Sequence, residues 1–210
     1  EELFYQYGRY LMIASSRENT LPATLQGKWN QSVAEIWGST YCININLEMN
    51  YWFAGGANLM DSGKALVNWI ETQIPAGSLT ARNMYDVKTA SYHLDKQNNI
   101  VFTPSENEVA DGVFVMHTKQ SINGQTDLTG STSIQSPGNT AFLMYNLWDL
   151  FQRSQDEKWL ANQLYPILRK SANFYAAYLN ENKVKTVDVK QYPKGYFYTT
   201  GKGRSPEHGC

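Results

Sequence analysis

Cysteine is scarce in this chain: Cys42 and Cys210 are the only two among 210 residues. Two thiols make no disulfide framework, and with 3 histidines no Cys or His pair stands at metal-ligand spacing, so the sequence calls for no metal and no cofactor. Long hydrophobic runs are missing as well. The apolar stretches are a few residues each, which leaves no membrane-spanning segment, and the N-terminus carries neither an initiator Met nor a charged-then-apolar signal region. Nor is there an excess of either charge. Lys plus Arg is 18 and Asp plus Glu 19, a net charge of −1, without the concentrated basic face that nucleic acids and anionic membranes require. The same lack of clustered Arg and Lys argues against a phosphate pocket, and so against a phosphorylase. No fixed-period repeat and no low-complexity segment is visible.

Aromatic side chains are plentiful, 14 Tyr and 6 Trp within an aromatic share of 13%, which suits carbohydrate contacts and equally suits a core of Tyr-bearing helices. A chain of 210 residues can bury one sizeable core. Leu3, Phe4, Tyr7, Tyr10, Leu11 and Ala14 recur at helical steps and predict an amphipathic helix over 2–15 with one buried stripe. From Leu21 to Tyr41 there is no sustained period, and the segment reads as an ordered, site-forming loop. A helix is expected from about Asn58 to Gln73, closed by Pro75 and Gly77, with a short one from Leu79 to Tyr85. Ile100-Val101-Phe102 and Val113-Phe114-Val115 read as short strands. Leu143, Leu147, Leu150 and Phe151 predict a further helix, followed by one capped by Asp156 and kinked at Pro166. Val187 and Val189 are expected to pair with Tyr196-Phe197-Tyr198 as a hairpin. Helix pairs joined by long loops give a mainly α fold of the (α/α) toroid kind.

The most informative stretch is Tyr41-Cys42-Ile43-Asn44-Ile45-Asn46-Leu47-Glu48-Met49-Asn50-Tyr51-Trp52. Three asparagines and a carboxylate beside large aromatics are poor core material unless something polar binds there. Sugars fit, since their hydroxyls pair with amides and carboxylates while their ring faces lie on Tyr and Trp. Asn44 or Asn46 can equally be a helix cap, and the spacing alone leaves both readings open.

Asn44-Ile45-Asn46-Leu47-Glu48-Met49-Asn50-Tyr51-Trp52 resembles the asparagine segment of glycoside hydrolase family 95, the inverting α-L-fucosidases, where the run usually reads Asn-Ile-Asn-Leu-Gln-Met-Asn-Tyr-Trp. Leu21-Pro22-Ala23-Thr24-Leu25-Gln26-Gly27-Lys28-Trp29-Asn30 and Trp37-Gly38-Ser39 resemble the segment before it, and Ser205-Pro206-Glu207-His208-Gly209 the general-acid segment. The resemblance implies that residues 1–210 are a single domain, the first part of a catalytic (α/α)6 barrel of six helix pairs. It implies a fucosylated oligosaccharide or glycan as substrate and an extracellular or cell-surface setting. Glu207 is then the acid, held on a stiff segment by Pro206, and Asn44 and Asn46 hold the attacking water. The base implied is an Asp beyond Cys210. A neutral amide can orient a water but cannot keep its proton, so the segment alone is expected to be inactive. Trp37, Trp52, His117, Cys42 and Glu48 are the expected sugar contacts. Cys42 stands where many members have His, and Glu48 stands for Gln; these departures bear on which sugar is bound, L-fucose or L-galactose, more than on the reaction. A carbohydrate-binding module that never cuts is the reading from another class.

Overall fold

The computed structural model describes residues 1–34, 36–87, 90–94, 96–97, 100–104, 112–117, 119–120, 136–181, 183–188 and 190–199. The chain is mainly helical. Helix α1 (Glu2–Ser15) leads through a loop to strand β1 (Tyr41–Cys42), short helix α2 (Asn46–Tyr51) and long helix α3 (Met60–Tyr85). Strands β2 (Ala90–Leu94), β3 (Ile100–Pro104) and β4 (Lys119–Gln120) precede α4 (Gly138–Ser154). Helix α5 (Glu157–Trp159), a π turn over Leu160–Leu164 and α6 (Tyr165–Glu181) run on, and β5 (Lys183–Lys185) and β6 (Tyr196–Tyr198) follow. Among the described residues three two-stranded antiparallel ladders, β1–β4, β2–β3 and β5–β6, decorate the helices without joining into one sheet. A mainly α chain of paired helices and long connections is a partial α/α toroid.

Helix α3 is a single rod where the sequence predicts a break. Pro75 and Gly77 both lie inside it, and Gly77 is there because of what it touches: a Cβ at this position would come within 3.0 Å of the Val115 carbonyl and 3.2 Å of Phe114. Val115 N–H donates to the Gly77 carbonyl at 3.2 Å, so the glycine lets a neighbouring chain dock on the helix rather than ending it. The stretch 112–117 is wholly buried and forms no ladder, contrary to the strand predicted at Val113-Phe114-Val115. Helix side chains satisfy its backbone instead: Ser78 Oγ donates to the Val113 carbonyl at 2.6 Å, and Thr140 Oγ1 both accepts from Met116 N–H at 2.7 Å and donates to its carbonyl at 3.0 Å.

The stripe on α4 is as expected, with Leu143, Leu147 and Leu150 buried. Asp156 Oδ1 accepts from Trp159 N–H at 2.9 Å and caps α5. Pro166 is taken up within the first turn of α6, next to the π turn that relaxes the hydrogen-bond ladder ahead of it. Two expectations are corrected. β6 pairs with Lys183–Lys185 and not with the Val187 segment, because the chain turns back only at Asp188 and Tyr192–Gly195. On α1 only Met12 and Ser15 are buried, while Leu3 is 84% and Phe4 82% exposed. The C-terminal half of α1 is what attaches, through Met12 in the core and the Arg9 guanidinium donating to the Ala57 carbonyl.

Two apolar clusters result among the described residues. The larger one is built from Met12, Tyr41, Leu47 and Tyr51 together with the inner faces of α3 and α4. The smaller one gathers Ala81, Val87, Val113, Val115, Phe174 and Tyr178 at the far end of α3.

Candidate functional site

The asparagine turn sits between β1 and α2 and is held from beneath by Tyr51. The buried Tyr51 hydroxyl accepts from Ala23 N–H at 2.8 Å and lies 2.5 Å from Ser16 Oγ, tying α2 at two points to the first part of the loop that follows α1. Burial pushes its phenol up to about 12, so it stays neutral at any working pH. Asn50 Nδ2 adds a bond to the Thr24 carbonyl at 3.2 Å. Leu25 N–H reaches the Thr40 carbonyl at 3.3 Å and Thr24 Oγ1 lies 3.0 Å from Ser39 Oγ, so the segments around Leu21–Gly27, Trp37–Ser39 and Asn44–Trp52 converge on one platform.

On that platform the backbone is strained. Ile45, the residue ahead of α2, has φ 143° and ψ −33°, a region that a β-branched residue enters only under compulsion. It, and neither asparagine, occupies the cap position of α2, and no side chain caps the helix. Asn44 and Asn46 are half-buried, and neither side chain hydrogen-bonds to another described residue. Two amides on either side of a strained residue thus keep their donors and acceptors uncommitted among the described residues. The cap role left open by the sequence is therefore not the one they play here.

Glu48 is fully buried, and neither carboxylate oxygen has a hydrogen bond of normal geometry. Loss of water raises its carboxyl to about 7; its own N–H and that of Ile45 lie close enough to pull partly the other way. Asn146 of α4, itself buried, donates from Nδ2 to the Glu48 carbonyl at 3.0 Å. The Cys42 thiol is buried 3.6 Å from Thr40 Oγ1. Trp52 is 48% exposed, meets Phe142 edge-on at 6.0 Å, and shares a shallow pocket of about 270 Å³ with Tyr145, Asn146, Trp148, Asp149 and Gln152. Rings beside amides and a carboxylate are apt for a sugar face. His117, two residues ahead of β4, is fully buried, its ring stacked on Tyr85 at 5.6 Å with the Tyr85 hydroxyl 3.3 Å from Nε2.

Trp37 lies in the 3₁₀ turn Ile36–Ser39, but its side chain is outside the described residues, as is the whole of Glu207 with its segment. A wider cavity of about 800 Å³ opens between the end of α1 and the start of α3, lined by residues such as Arg17, Glu18 and Asp61; neither asparagine of the turn lines it. Among the described residues no group of three His, Cys, Asp or Glu can hold a metal ion, and no helix is long and apolar enough to cross a membrane. Sequence reasoning missed Asn146 and the roles of Tyr51 and Glu48. The burial of Glu48 has a signal in the helical spacing, since Leu47, Glu48 and Tyr51 fall on one face of α2.

The partial toroid and the match to a family model place the chain among catalytic domains of the glycoside hydrolase class. The chain belongs to family 95: the model described as "Glycosyl hydrolase family 95 catalytic domain" matches residues 1–210. It is similar to "Probable alpha-fucosidase A" of Aspergillus niger, 30% identical over 210 residues, covering 100% of this chain and 23% of that protein. "Alpha-L-fucosidase 2" of Arabidopsis thaliana is 27% identical over 207 residues, 99% of this chain and 21% of its own length. A second "Probable alpha-fucosidase A", from Aspergillus oryzae, is 42% identical over 86 residues, 40% of this chain and 12% of the other. The chain thus spans under a quarter of the curated relatives it matches.

Proposed function

We propose that the complete protein carrying this chain is an exo-acting α-L-fucosidase that removes α-1,2-linked L-fucose from glycans with inversion at the anomeric carbon. The observation that carries the reading is the pair of uncommitted amides, Asn44 and Asn46, splayed about the strained Ile45 in a family 95 chain. In this reading the amides hold the attacking water, Glu207 protonates the departing oxygen, and an Asp C-terminal to Cys210 takes the proton from water. An inverting pair of carboxyl groups stands ~6.5–9.5 Å apart, room for one water between base and sugar. Trp52 and Trp37 supply ring faces for the sugar, and Cys42 and Glu48 lie in the wall behind it. The glycan substrate places the protein outside the cell or on its surface. Residues 1–210 would be the first part of one barrel domain, inactive alone for want of the base.

The test is ¹H NMR of 2'-fucosyllactose hydrolysis by the complete protein. β-L-Fucose should appear first, and Glu207→Ala should lower kcat at least ~100-fold. First release of the α anomer, or an unchanged rate in Glu207→Ala, overturns the mechanism; faster cleavage of the matching L-galactoside reassigns the sugar. A module that binds glycans without cutting them is favoured by one feature, the open Trp52 pocket; glycan binding with no turnover by the complete protein would select it.

A further inference from the structure

Helix α1 carries its apolar residues on the side that the rest of the described structure leaves open. Leu3, Tyr7, Tyr10 and Ala14 follow one another at helical steps with Phe4 and Leu11 beside them, yet Met12 and Ser15, well round the helix from that stripe, are what face the body. Leu3 is 84% exposed, Phe4 82%, Tyr10 60% and Tyr7 55%, and the rings of Tyr7 and Tyr10 stack with centroids 6.3 Å apart. One exposed Leu needs no explanation, but four large side chains in a row do.

The row continues off the helix. Leu11 lines a groove of about 380 Å³ together with Trp29, Met49 and Phe53, and in it Trp29 is 47% and Met49 51% exposed. No side chain of the row or of these groove walls is charged, so the surface fits an apolar face and not an ionic partner.

In a fold of paired helices each helix buries its stripe against a neighbour. Helices α3 and α4 have one another, in close contact at Gly63 and Leu150. Helix α1 reaches the body through Arg9, Met12 and the turn after it, and its stripe has no such neighbour among the described residues. The chain makes up 23% and 21% of two of its relatives, so in polypeptides of that length most of the residues lie outside the stretch that corresponds to 1–210.

We propose that the row from Leu3 to Tyr10 and the groove at Trp29 and Met49 are the seat of an apolar helix of the same polypeptide, C-terminal to Cys210, which closes the ring of helix pairs onto its first member. This rests on reading residues 1–210 as the first part of one barrel domain. The site is affected too. Met49 and Asn50, both in the groove, belong to α2, whose first residue is Asn46, so the docked helix presses on the element that presents the asparagines.

In the complete protein Phe4 is replaced by photoreactive benzoylphenylalanine, and the irradiated product is digested and read by mass spectrometry. The expected result is a cross-link within one chain, to a peptide C-terminal to Cys210. A covalent dimer would assign the surface to a second copy, a linked peptide ahead of Glu1 would assign it to a preceding segment, and an unlinked probe would leave it facing solvent; each of these overturns the proposal. In a second arm, Phe4→Asp combined with Tyr7→Asp carries two carboxylates into the contact and should lower the thermal midpoint by at least ~5 °C. An unchanged midpoint overturns the proposal, and if that variant is recovered unfolded the cross-link decides. Neither measurement uses fucoside cleavage, so the surface is judged separately from the fucosidase reading.

Discussion

Two stretches of this chain carry polar residues into its interior, and they are built on opposite terms. Around 112–117 the Val113 carbonyl, the Val115 N–H and both Met116 backbone groups are answered by Ser78, Gly77 and Thr140, and His117 lies flat against Tyr85. At 44–46 the backbone is bent through a costly geometry and two amides are left without partners among the described residues. The first stretch spends its polarity on holding helices together; the second keeps its polarity in reserve. Satisfaction, more than residue type, is what separates the two stretches.

The sharpest way to break the comparison is to truncate the reserved amides. Asn44→Ala and Asn46→Ala in the complete protein should each cut kcat on 2'-fucosyllactose by ~100-fold or more, about 3 kcal/mol of barrier, with thermal stability within a degree or two. A large loss of stability instead would make the turn structural. The opposite pattern is expected for His117→Ala. It opens a cavity and strips the Tyr85 hydroxyl of its partner, so denaturant unfolding should show a loss of about 3 kcal/mol. Smaller again is the effect of pH through Glu48. Its folded carboxyl is raised to about 7 from an ordinary 4.5, so its share of stability is complete below about pH 4.5 and drains away as pH rises through 7. The decline is on the order of 2 kcal/mol, and Glu48→Gln should remove it from a plot of unfolding free energy against pH.

How far the chain could be read in advance depended on how local each cause was. The α4 stripe and the Asp156 cap are set by residues within one turn, and both are where spacing puts them. Pro75 and Gly77 carry a local message to stop, but the contact of Gly77 with Phe114 and Val115 comes from a segment about forty residues on, and it prevails. For α1 the period was legible and the buried face was not, because periodicity says that a helix has two faces without saying which neighbours arrive. In the site, the run of asparagines was visible as composition. The twist at Ile45 was not, since no β-branched residue announces a positive φ; nor was the clamp of Asn146 on Glu48, formed across 98 positions of sequence.

Gly63 of α3 lies so close to α4 that a single added methyl would fall 2.5 Å from Leu150 Cδ2. The two helices therefore meet almost backbone to side chain, with no slack for one to slide on the other. Asn146 rides on α4 one turn before Leu150, and through it that tight seam extends to the main chain of Glu48. A change as slight as glycine to alanine at position 63 would be felt as a displaced Asn146 amide beside Glu48.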